Sequence, residues 1–234
     1  MVVICLILFY IKIMDYIKRK EGISLVVLCT TEPVYIHSRW MKERDIITAQ
    51  EFDDAKAKPK VLNDGLSAFT IGTDISVYCD KNRFQIECAD ITASKRIIDI
   101  CRESLKINLP KAFIAVGVNA DMDFTFCNLD DAVRFGDTFV PLERWNKYVQ
   151  NARVGAFTIQ ENNVNPTLAR PRKAINIQSV GMDDKTKLPL VRISVNNHYP
   201  IKDFDEMAKV MEQAQNKYDE FIAIYEDIFN NQLA

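Results

Sequence analysis

Asp121 and Asp123 alternate with Met122 and Phe124, so an extended chain sets both carboxylates on one face. Paired carboxylates can hold a divalent cation or share a proton, and a polar solvent face on an edge strand accounts for them equally well. The acidic pairs Asp53-Asp54, Asp130-Asp131 and Asp183-Asp184 read as helix-start, loop or turn charges. His37 and His198 are the two histidines, and neither stands at a spacing that holds a metal or orients a nucleophile. Each reads as an exposed loop or strand-end residue. Six cysteines, at 5, 29, 79, 88, 101 and 127, include no C-x-x-C pair, which argues against a structural zinc site. Cys29, Cys79, Cys88 and Cys101 lie in apolar segments, where a free thiol behaves as a small core hydrophobe, and this favours a reducing, cytoplasmic setting. Cys88 or Cys127 would act as a nucleophile only beside a base. With seven glycines and neither a G-x-G-x-x-G nor a Walker lysine loop, the chain offers no phosphate cradle and implies no cofactor.

The most suggestive polar feature is cationic. Arg170, Arg172 and Lys173 fall in a proline-bearing loop with Arg153 upstream, and arginine forks suit phosphate or carboxylate. The net charge of −2 supplies no long-range attraction to nucleic acid, so such binding would rest on this local cluster.

These residues need a scaffold, and its pattern is that of an α+β fold with a largely antiparallel sheet. Residues 1–20 form an apolar N-terminal segment whose uninterrupted run, Met1 to Ile11, is too short to span a bilayer. A strand, a short anchor, or an upstream translated stretch before Met14 all fit it. Residues 21–234 read as one domain or two closely packed halves. Within them, 22–31 predicts a buried strand, Val34–Ile36 a second short one, and 48–60 an exposed helix or loop. Ile75, Val77 and Cys79 alternate with polar neighbours, and Phe84, Ile86 and Cys88 do so on the return, which predicts a hairpin turning through a left-handed Asn82. A helix over about 92–108 follows, then a strand over 112–126 that starts centrally and emerges at an edge, with a bulge or close approach at Gly117. Asn128 predicts a short helix ended by Gly136, and Pro141 a second one. A strand at 153–160 and a second hairpin, 174–181 with 190–197, complete the sheet.

The last segment is a helix. Phe204, Met211, Tyr218 and Tyr225 recur every seven residues with apolar residues between, and neither Gly nor Pro interrupts them. Asp203 and Glu206 have the spacing of a capping box. Two tyrosines among four seam positions suit a sheet better than a partner helix, so this stripe is expected to cover the sheet. Its last turns, Tyr225, Ile228 and Phe229, are expected to contact a partner.

This order of elements resembles a sporadically distributed family of bacterial proteins of unknown function. The residues that carry the resemblance are Phe113 to Asn119, Trp145, and Tyr218 to Phe229, within a span of about 68–232. The resemblance implies a fold and a bacterial cytosolic setting and transfers no site. The expected function is therefore a non-enzymatic interaction module, or a subunit of a bacterial complex, with a protein partner or a second copy of itself and no membrane role. An anion- or nucleic-acid-binding protein using residues 170–173 is the alternative, and an enzyme of unrecognised type the third reading.

Overall fold

A computed structural model describes residues 15–58, 60–140, 143, 145, 147–149, 154–162 and 164–230. It is an α+β fold. Nine strands make a single antiparallel sheet: β1 (Tyr16–Cys29), β2 (Val61–Asn63), β3 (Leu66–Ile71), β4 (Ile75–Asp80), β5 (Arg83–Cys88), β6 (Phe113–Phe126), β7 (Ala156–Gln160), β8 (Arg172–Met182) and β9 (Pro189–Pro200), in the spatial order β2-β3-β4-β5-β1-β6-β9-β8-β7. Five α-helices accompany it among the described residues: α1 (Ser38–Glu43), α2 (Ala49–Asp54), α3 (Ser94–Ile107), α4 (Leu129–Phe139) and α5 (Phe204–Asn230). The order of elements repeats. A long strand, one or two helices, a meander and a closing helix run from β1 to α3 and again from β6 to α5, and the two long strands pair with each other at the centre.

The helices lie on one face, and period-2 alternation explains why. Ile23, Leu25 and Val27 on β1, Val118, Ala120, Met122 and Phe124 on β6, and Ile193 and Val195 on β9 point the same way and are buried. α5 crosses β6 and β9 and packs on α3. Its stripe meets the sheet as expected: Met211, Ala214, Tyr218 and Phe221 are each at most 1% exposed. Asp203 caps it by accepting from Glu206 N–H at 2.8 Å, while the Glu206 carboxylate accepts from Lys202 N–H at 2.9 Å, one residue earlier than a standard capping box.

Several local expectations change. Val34 and Tyr35 belong to a 3-10 turn, because Pro33 at its start fixes φ and cannot donate to a ladder. The β4–β5 turn needs no left-handed residue; Asn82 N–H is instead held by the Asp80 carboxylate at 2.8 Å. β6 is paired along its length by β1 and β9 and never becomes an edge. Gly117 sits in regular register, where a Cβ would meet the Asn196 amide at 3.4 Å, so close approach is its role. Gly136 lies inside α4, facing Val154, and the helix runs on to Phe139. The helix expected from Pro141 begins outside the described residues. β1 starts at Tyr16, so residues 16–20 are part of the central strand. Its register shifts between Lys18 and Lys20, and Arg19 bridges to Asp183 in the β8–β9 turn at 2.7 Å. Asp183 also accepts from Thr186 N–H at 2.8 Å, and these donors hold its carboxyl far below the usual range.

Candidate functional site: the open face of the sheet

The face opposite the helices carries the alternate residues of every strand. Ser24 on β1, Asn119 on β6 and Asn196 on β9 stand side by side, and their side chains join: Asn119 donates to Ser24 Oγ at 3.2 Å, and Asn196 donates to Asn119 Oδ1. Asp121 lies beside Ser194, which pairs with Asn176 on β8 and through it with Thr158 on β7. Toward the other edge the same face continues through Glu87, Ser76 and Thr70. Its strand charges balance: Lys20, Arg83, Arg172 and Arg192 against Asp80, Glu87, Asp121 and Asp123.

A recess of ≈ 270 Å³ opens near the middle of this face, with Gly22 in its floor and Lys20, Ser24, Asp74, Ser76, Glu87, Asp121, Asp123 and Arg192 around it. Gly22 keeps the floor low, since a Cβ there would approach Cys88 O to 3.3 Å. Asp121 and Asp123 do share this face, as the alternation predicts. They do not act as a free pair, because Arg192 grips Asp123 with two bonds of 2.6 and 2.8 Å. Asp123 is 7% exposed, and it raises the Arg192 pKa through these bonds. Among the described residues no group of three or more His, Cys, Asp or Glu side chains is arranged to hold a metal ion. Cys88 borders the recess, but burial first, and then the nearby Asp74 and Asp90 charges, push its thiol up to about 11. It is protonated at neutral pH, the opposite of an activated nucleophile.

The basic residues diverge. Arg172 and Lys173 begin β8 and so point to opposite faces: Arg172 lies beside His198 on the open face, while Lys173 forms an ion pair with Glu220 of α5. Arg170 precedes the strand, and its N–H is held by Thr167. Arg153 lies outside the described residues. The expected partner contact at the end of α5 is likewise redirected. Phe229 is 3% exposed and stacks on Tyr16 at 3.8 Å between ring centroids, with Phe124 at 4.7 Å and Phe135 at 5.8 Å. Tyr225 is buried and Ile228 packs on the same core. An aromatic cluster contributed by β1, β6 and α4 covers what the helix sequence alone leaves exposed.

His37 is a loop residue, and it is also the N-cap of α1, its Nδ1 accepting from Trp40 N–H at 3.1 Å. A second recess, apolar and ≈ 250 Å³, lies between α4 and β7–β9 and is lined by Phe126, Phe135, Phe139 and Phe157. Sequence reasoning missed the Arg192–Asp123 clamp, which joins residues far apart in the chain. The Ser194, Asn196, His198 alternation was the available signal for the open face.

The chain matches no protein-family model and no characterised protein sequence. Among solved structures, an aspartate kinase from Clostridium acetobutylicum, described as an allosteric enzyme, aligns at 9% identity over 88% of this chain with a TM-score of 0.23. The alignment spans 34% of that protein, and similarity at this level carries no inference about fold or activity. No helix among the described residues is long and apolar enough to cross a membrane.

Proposed function

We propose that this protein is a non-enzymatic interaction module that presents the open face of its sheet to a protein partner in the bacterial cytoplasm. The observation that carries the reading is the character of that face: hydroxyl and amide side chains in rows across the central strands, with four cationic and four anionic residues among them. Such a surface offers directional hydrogen bonds without a net field, which suits a folded protein surface better than a polyanion. The spread of Arg172 and Lys173 to opposite faces adds nothing to an anion site. Core thiols at Cys29, Cys79 and Cys101 suit a reducing compartment.

The test is comparative affinity capture from the source organism with three full-length baits: the wild type, Ser194→Arg on the open face, and Gln213→Arg on the exposed side of α5. The reading expects one stoichiometric partner with the wild type and Gln213→Arg that is lost with Ser194→Arg, and purified components should reproduce the pattern. A partner retained by Ser194→Arg, or lost only with Gln213→Arg, would contradict it.

A further inference from the structure

The two edges of the sheet are unlike. β2 is only three residues long, one of the ordinary ways to make an edge unattractive to another strand. β7, at the other edge, has the sequence Ala-Phe-Thr-Ile-Gln, with no charge and no proline, in unbroken register with β8. Ile159 in its middle is 57% exposed. Among the described residues it carries no charge, proline or bulge to guard it against strand addition.

The ladder shows which backbone groups face outward. Glu161 N–H donates to Lys173 O at 2.9 Å, and Ser179 N–H donates to Gly155 O at 2.9 Å. Inward and outward groups alternate along an antiparallel strand, so residues 155, 157, 159 and 161 bond to β8. Ala156, Thr158 and Gln160 therefore turn their N–H and C=O groups to the free edge, where no described strand pairs with them.

We propose that β7 pairs with β7 of a second copy of this chain, antiparallel about a two-fold axis at Thr158, joining the two sheets into one. This register uses every outward group: Thr158 bonds Thr158 of the other copy reciprocally, and Ala156 bonds Gln160 in both directions. It also matches side chains on both faces. On the helix side Phe157 lies opposite Ile159 of the other copy, an aromatic and β-branched pair that covers the exposed isoleucine. On the open face Thr158 meets Thr158 and Ala156 meets Gln160. Glu161 falls opposite Gly155, so no acid faces an acid. The surface is separate from the centre of the open face, and the inference stands whether or not the proposed partner binds there.

Sedimentation equilibrium on the full chain at high micromolar concentration tests it. The wild type is expected at twice the mass of one chain. Thr158→Pro removes an outward donor and leaves the bonds to β8 intact, so it should give a folded protein at the mass of one chain. For the case in which the proline variant fails to fold, cysteine cross-linking in a Cys5→Ser, Cys127→Ser background reads the register directly. Thr158→Cys should form a disulfide-linked dimer under mild oxidation, because paired Cα atoms at such a position lie about 5.5 Å apart. Ala156→Cys should not, since its copies would be offset by about 13 Å along the strands. A wild type at single-chain mass throughout, a dimer indifferent to Thr158→Pro, or equal cross-linking at 156 and 158 would each overturn the proposal.

Discussion

The two faces of the sheet are made by the same strands, often by adjacent residues, yet they do different work. On the helix side each strand spends Val, Ile, Leu and Phe on a core nearly sealed from water. Val118, Phe124, Ile193 and Val195 are all 0% exposed. One residue along, Asn119, Arg192, Ser194 and Asn196 face the other way and make polar contacts or none. Stability rests on the first set, because burial of apolar surface dominates folding, and the second set is left open for recognition.

Truncation on the covered face should show the largest effects. Phe221→Ala and Phe229→Ala are each expected to cost about 3–5 kcal/mol in urea melts. Phe229→Ala should do so without altering association, since its ring is enclosed by Tyr16, Phe124 and Phe135. The Arg192–Asp123 clamp is a polar element of the open face that is tied to stability. Arg192→Leu should cost about 2 kcal/mol by leaving the buried Asp123 without its charged donor. The covered face has converse exceptions, and Asn197 is one of them: it is 0% exposed, and neither of its amide atoms has a hydrogen-bond partner among the described residues. Asn197→Leu is expected to gain about 1 kcal/mol, read as a higher urea midpoint at unchanged slope.

Acidification should have a smaller effect. Burial, joined by Arg172 for His198, depresses both imidazoles below the ordinary 6.5. The unfolded chain therefore binds protons first, and the contribution of these groups is fully present above pH 6.5 and lost as pH falls through the lower folded-state values. His37→Asn keeps a cap acceptor without a titrating ring and should flatten part of that loss in melts run between neutral and mildly acidic pH. Smallest of all, Ser194→Ala on the open face should move stability by no more than about 0.5 kcal/mol.

Much of this contrast was legible in the chain. Alternation through Ile75 to Cys88 and through Val191, Ile193 and Val195 marked buried and open positions directly, and the seven-residue recurrence in α5 marked a helix with a sheet to cover. What pattern could not convey was which strands become neighbours. Asp121 and Asp123 looked like a pair on an edge strand because nothing local to them announces Arg192. Phe229 looked available for a partner because Tyr16 and Phe135, which enclose it, lie in other elements. Arg172 and Lys173 looked like one cluster until the strand began at Arg172 and sent them to opposite sides.

The central claim is that one face holds the fold and the other is free to bind, and neighbouring residues of β9 test it most directly. Ile193→Arg and Ser194→Arg place the same side chain one residue apart, on opposite faces. In equilibrium urea denaturation Ile193→Arg should abolish the cooperative native transition or cost more than about 3 kcal/mol, because a charge would enter the core unpaired. Ser194→Arg should keep the wild-type transition to within about 0.5 kcal/mol. Equal destabilisation by the two substitutions would contradict the account, since both faces would then be buried and neither open.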